Sequence, residues 1–164
     1  MSESTNSKRL RIGSGAAWWG DRVEPAGLNA EKGDLDYLCF ETMAEATVSA
    51  AQVRARRDPS FPGYDTYLDD RMRAVLPGCI RRGTKIISNQ GWINPQGAAK
   101  RIVELLRELG IAGVKVAAVS GSLITERVLS LAPTILENGE PTGTLKDTLI
   151  SAEAYMGPSP SCRP

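Results

Sequence analysis

Apolar residues along this chain fall into short continuous runs separated by longer amphipathic stretches. Leu10 to Ile12, Tyr37-Leu38-Cys39-Phe40, Lys85-Ile86-Ile87-Ser88 and Val114 to Val119 are of the first kind, with Leu149 to Ala152 as a fifth. Runs this short and this apolar suit strands buried on both faces, as in parallel sheets. Helices are expected between them. Glu24-Pro25 opens the first, with proline at ease in the first helical position, and Lys32-Gly33 closes it. Thr42 and Glu45 have the spacing of a capping box, so a second helix is expected from Thr42 to about Arg57, where Asp58-Pro59 stops it. Residues 59–64 read as a loop. Asp65 is a natural N-cap for a third helix, whose stripe of Leu68, Met72, Val75, Leu76 and Cys79 recurs at helical spacing. Pro77-Gly78 predicts a kink or early end there, before Arg82-Gly83. Asn94-Pro95 caps the clearest amphipathic helix, carried by Ala98, Ala99, Ile102, Val103, Leu106 and Leu109 and ended by Gly110. A further helix is expected from Thr125 to Leu131.

Strands alternating with helices predict an α/β protein, three-layered, with a mainly parallel sheet and flanking helices. A partial (β/α) barrel has the same local pattern and is the structural alternative. In either case chemistry belongs at the carboxyl ends of the strands. Those ends are Gly13-Ser14-Gly15, Glu41, Ser88-Asn89 and Ser120-Gly121, all polar or glycine-rich. The stretch from Arg11 to Arg22 holds three glycines, Trp18-Trp19 and the pair Asp21-Arg22. Its Gly13-x-Gly15-x-x-Trp18 pattern approaches the dinucleotide fingerprint, and Glu41 stands about where a ribose-binding carboxylate would. The third glycine is a tryptophan, however, and the helix begins late, which argues against NAD. A Walker phosphate loop is absent.

Composition narrows the chemistry. The chain has 164 residues, 41% apolar, enough for one ordinary domain with a real core. Its 20 basic and 19 acidic residues leave a net charge of +1, which gives no footprint for nucleic acid. No apolar run approaches the ~18 residues of a membrane span. Residues 1–8 are polar, lack a signal peptide's apolar centre and read as a frayed leader. Three cysteines, Cys39, Cys79 and Cys162, without C-x-x-C spacing fit neither a disulfide framework nor a zinc cluster, and a cytoplasmic location follows. There is no histidine. A Ser-His-Asp triad, a Cys-His pair and a His-ligated metal are therefore excluded within this chain, and acid-base work falls to Asp, Glu, Lys, Tyr or Cys. No metal site is expected.

Glu41, between a buried strand and a helix, is the leading catalytic candidate, since partial burial would raise its pKa toward that of a general base. A carboxylate hydrogen-bonded to the glycine turn is the structural alternative. Asn89 could donate to a carbonyl or enolate oxygen, or simply hold the next loop. Gly13, Ser14, Gly15, Trp19, Gly91 and Asn94 are the candidate ligand-binding positions, with Trp18, Trp19 and Trp92 as a wall for an adenine or a prenyl chain. Asp21-Arg22 reads as a local surface pair.

Several of these residues also carry a resemblance. Arg11-Ile12-Gly13-Ser14-Gly15-Ala16, Trp19-Gly20-Asp21-Arg22, Gly33-Asp34-Leu35-Asp36-Tyr37-Leu38, Phe40-Glu41, Ile87-Ser88-Asn89, Gly91, Asn94-Pro95 and Ser151-Ala152-Glu153-Ala154-Tyr155-Met156-Gly157 resemble the acyclic terpene utilisation (AtuA-type) family in order. The resemblance implies catabolism of acyclic terpenes such as citronellol and geraniol, with intermediates carried as coenzyme A thioesters. An acyl-CoA ligand and an acyl-CoA lyase or hydratase are the corresponding expectations, and a non-catalytic binding or assembly subunit, or an inactive fragment, the alternatives. No reaction or catalytic residue is implied. Family members continue further, so residues 9–157 would be the N-terminal portion of a longer, here truncated, α/β domain, with 158–164 a non-family tail. The remaining expected partner is a second copy or a downstream chain segment.

Overall fold

The computed structural model describes residues 9–155 with Gly157 and Ser159, so the leader over 1–8 and most of the tail over 158–164 lie outside the described residues. Its elements run β1 (Ile12–Ala16), α1 (Glu24–Lys32), β2 (Tyr37–Phe40), α2 (Glu45–Arg57), α3 (Leu68–Arg82), β3 (Lys85–Ser88), α4 (Pro95–Glu108) and α5 (Thr125–Leu131), then a short 3₁₀ turn over Thr142–Leu145. The three strands form an open parallel sheet in the order β1-β2-β3. The protein is therefore α/β, a parallel sheet flanked by helices.

A strand order that follows the chain has a geometric consequence. Successive right-handed crossovers in one direction place their helices on the same face. Accordingly α1 packs on β1 and on α3, and α3 packs on β3 and α4. The core lies between them and the sheet, with Leu38 and Phe40 pointing down from β2 onto Ala26, Ala30, Leu68, Met72, Val75, Leu76 and Cys79. Leu105, Leu106 and Ala98 of α4 extend it. The opposite face, in register Ile12–Tyr37–Lys85 and Ser14–Cys39–Ile87, leaves Ile12 66% and Ile87 51% exposed.

Four expectations change. The first strand is displaced: Gly13-Ser14-Gly15 is not a turn but the body of β1, paired with Leu38 and Cys39, with a bulge between Ser14 and Ala16. A Cβ on Gly15 would overlap the Phe40 ring and one on Gly13 the Leu35 side chain, so these glycines serve core packing. Second, α3 runs through Pro77 without ending. Proline removes one hydrogen bond, but Val75, Leu76 and Cys79 around it are buried, and Gly78 is where α1 crosses: a Cβ there would lie 2.8 Å from Glu31 Oε1 and 3.1 Å from the Ala30 carbonyl oxygen. Third, Val114 to Val119 is not a strand. Val114 and Val116 do turn toward the core, so the alternation is real. A ladder also needs an aligned neighbour, and Val116 instead borders a groove with Ala99, Val103 and Arg107 of α4. Fourth, Leu149 to Ala152 forms no strand. Arg56 takes the carbonyl of Ile150 at 2.7 Å, and one antiparallel bridge joins Glu153 to Leu123.

The caps divide. Asn94 Oδ1 accepts from the Gly97 amide at 2.9 Å, as its position before Pro95 predicts. Thr42 does not cap α2, which starts at Glu45 after the extended Ala44. Asp65 opens a turn, accepting from the Tyr67 amide at 2.9 Å, and α3 begins three residues later. Both Thr42 and Asp65 are buried polar groups engaged elsewhere. No helix among the described residues is long and apolar enough to cross a membrane.

Candidate functional site

Parallel strands deliver their C-terminal residues to one edge of the sheet, and here that edge gathers most of the candidate chemistry. Glu41 follows β2 and is anchored to β1 by its amide, which donates to the Ala16 carbonyl at 3.0 Å. Asn89 follows β3, its amide donating to the Phe40 carbonyl at 3.3 Å. Their side chains meet. Asn89 Nδ2 donates to Glu41 Oε1 at 3.0 Å, and the same oxygen accepts from the Met43 amide at 2.9 Å. Asn89 Oδ1 accepts from the Thr42 amide at 2.8 Å. Asn89 thus crosses from β3 to the loop after β2 and orients the carboxylate. Glu41 is exposed, not part-buried as its place after a buried strand suggested, while the next residue, Thr42, is the one that turns inward and is buried. Glu41 Oε2 has no hydrogen-bond partner among the described residues.

Beside this pair stands an aromatic cluster. Trp92 donates its Nε1 to Thr42 Oγ1 at 3.3 Å, tying the ring to the residue next to Glu41. Its ring centroid lies 6.4 Å from Trp19 and 6.5 Å from Phe61, and Trp19 lies 5.7 Å from Tyr67 and 6.3 Å from Trp18. The three indoles that sequence grouped thus lie together, packed edge to face along one row. Trp18 is 60% exposed and caps its outer end, and Arg54 sits 4.3 Å over the Phe61 ring.

Beneath the wall is a polar group that sequence reasoning missed. Arg71, fully buried, donates to Asp65 Oδ2 at 2.5 Å, to the Trp19 carbonyl at 2.6 Å and to the Asp21 carbonyl at 3.1 Å. Asp65 Oδ2 also accepts from Gln90 Nε2 at 3.0 Å, and Gln90 Oε1 accepts from Ser88 Oγ at 3.0 Å. A signal for it existed: Arg71 lies three residues after Leu68 and four before Val75, a cation on the apolar stripe of α3. Buried charge of that kind requires partners.

The other expected positions distribute as follows. Trp19 is in the wall. Gly91 and Asn94 belong to the turn leading into α4: a Cβ on Gly91 would press on Pro95, and Asn94 Nδ2 also donates to the Pro62 carbonyl at 2.8 Å. Gly13, Ser14 and Gly15 lie inside β1, and the Ser14 carbonyl accepts from Asn29 Nδ2 at 2.9 Å. Asp21 is not paired with Arg22. Its carboxylate accepts from the Ala17 and Trp18 amides at 2.7 and 3.0 Å, while Arg22 faces Glu24 at 3.4 Å. The amides after the first strand are thus held by the chain's own carboxylate and not left open to a ligand anion.

Fold and site together define an open, singly wound α/β protein with one carboxylate–amide pair and an aromatic wall at the carboxyl edge of its sheet. The chain belongs to the family described as acyclic terpene utilisation family protein AtuA, whose profile matches residues 10–162. Membership ties the chain to the utilisation of acyclic terpenes. No curated protein and no solved structure matches it.

Proposed function

We propose that the chain acts in the cytoplasm on a terpenoid acyl-CoA of the citronellyl or geranyl type, and that Glu41 moves a proton at the carbon α to the thioester carbonyl. The observation that carries this is the Asn89–Glu41 hydrogen bond at the strand ends, beside a wall of indole rings. Glu41 is held by one oxygen, leaving the other to take the proton. The pair on the departing C–H bond moves into the thioester as an enolate, and the second N–H of the Asn89 amide is the donor for its oxygen. Trp19 and Trp92 offer flat apolar surface to a branched prenyl chain. Return of the proton to the same carbon completes an exchange, its return to a conjugated carbon an isomerisation, and in a β-hydroxyacyl-CoA collapse of the enolate with loss of the β-hydroxyl, protonated to water by the proton Glu41 took, a dehydration.

The test is exchange of substrate protons with D₂O, followed by mass spectrometry of citronellyl-CoA. The protein should catalyse incorporation of deuterium, and Glu41→Gln should reduce the rate by about 10²-fold or more. Full exchange by Glu41→Gln, or none by the wild type, would overturn the catalytic assignment.

The bare sheet face favours a second reading, an assembly subunit that pairs with a second copy of itself. Parallel sheets are normally covered on both sides, and Ile12 and Ile87 are not. Light scattering should then give a dimer that Ile12→Lys/Ile87→Lys converts to a monomer. A wild-type monomer at high micromolar concentration would remove this reading.

A further inference from the structure

Among the described residues Arg71 is a cation buried at large cost, and that cost needs an explanation. Arg71 is wholly inaccessible, its Nε has no hydrogen-bond partner among the described residues, and neither has the buried Trp19 Nε1. A buried ion pair of this kind rarely stabilises a fold more than apolar side chains of the same shape would. What Leu or Met could not do in its place is join three loops. The Arg71 guanidinium takes two carbonyls of the loop after β1, Trp19 and Asp21, on one nitrogen and the Asp65 carboxylate on another. Asp65 holds Gln90 twice, through its side chain at 3.0 Å and through its own amide to the Gln90 carbonyl at 2.9 Å. Gln90 adjoins Asn89, which orients Glu41. The loop itself has little other freedom: Asp21 holds the Ala17 and Trp18 amides, and Gly20 lies so close under the Trp18 ring that any Cβ would overlap it.

We infer that Arg71 is a positioning residue: through the Trp19 and Asp21 carbonyls on one side and Asp65–Gln90 on the other, it sets the distance between the Trp18–Trp19 end of the aromatic cluster and the Glu41–Asn89 pair. The ligand-affinity part of this rests on the acyl-CoA reading above, whereas the loop geometry does not. A lysine would not substitute, since a single ammonium on a flexible stem lacks the fork that spans two carbonyls and a carboxylate.

The experiment separates positioning from stability. Asp65→Asn/Arg71→Met removes both buried charges together, and Asn keeps the Oδ1 acceptor for the Tyr67 amide. In a chain with Trp19 as the single tryptophan (Trp18→Phe, Trp92→Phe), acrylamide quenching reads the loop directly. The double variant should melt cooperatively, with the Trp19 quenching constant raised at least twofold. In the native tryptophan background, its affinity for citronellyl-CoA should fall at least tenfold. Unchanged quenching in a folded double variant overturns the inference. If the double variant does not fold, Arg71→Lys decides by the same readout: raised quenching supports the inference and unchanged quenching overturns it. If wild-type protein fails to bind citronellyl-CoA, the acyl-CoA reading falls while the quenching result still judges the loop.

Discussion

At the scale of single residues, the glycines and cysteines show how identity and environment divide the work. Gly15 is required by the Phe40 ring against it, so Gly15→Ala should overpack the core and cost about 1–3 kcal/mol in urea unfolding. Cys79 is fully buried on α3, and that burial, aided by Glu31 nearby, pushes its thiol up to about 11. In a Cys162→Ser chain at pH 8, Ellman's reagent should therefore label the half-buried Cys39 first and Cys79 only on unfolding. Rapid modification of both thiols in the native state would contradict this. That Glu41 and Asn89 stand at neighbouring strand ends was legible because each directly follows a strand of unmistakable composition. Arg71 and Asp65 were harder, since Asp65 also reads as a plain N-cap and a lone arginine on a helix usually faces water.

At the scale of elements, α3 and α4 are joined by charge as well as by core. Arg101 of α4 reaches Asp69 of α3 at 2.5 Å and Glu104 and Glu108 of its own helix at 3.0 and 2.9 Å, and Arg73 pairs with Glu108. The Arg73 and Arg101 guanidiniums hold the Glu108 carboxyl below its ordinary value of 4.5. A carboxyl whose folded pKa is depressed contributes stability that is complete above the unfolded value and is lost as pH falls through the folded one. Melting temperature should therefore drop below pH 4.5 more steeply in wild type than in Glu108→Gln, and a high-salt buffer should narrow the difference. Parallel curves would show the staple to be idle. Asn94→Ala removes both the α4 cap and the bond to the Pro62 carbonyl, and a loss of about 1–2 kcal/mol in chemical unfolding is expected. Helix positions were readable because capping and the 3.6-residue period act within one segment. α3 outlasting Pro77 was not, because that depends on α1 packed alongside.

At the scale of the whole molecule, the strands differ in what holds them. β2 is paired on both sides and its Leu38 and Phe40 are buried, while residues 114–119 have strand-like alternation and no ladder. Hydrogen exchange should find the amides of Leu38 and Cys39 among the slowest and those of Lys115 to Val119 open within seconds. Protection of the latter would mean that a fourth strand forms in solution. Sequence by itself determined the α/β class, the parallel sheet with two of its strands read from their apolar runs, and the four main helices with α4's cap, because each follows from local period, capping or chain direction. Only the tertiary structure decided that the glycine stretch is a strand packed on Phe40 and Leu35, that Val114 to Val119 stays unpaired, that one sheet face is bare, and that a buried Arg71 gathers three loops. Those outcomes depend on which segments become neighbours, and neighbourhood is set by the sum of all packing choices, which no single stretch of sequence contains.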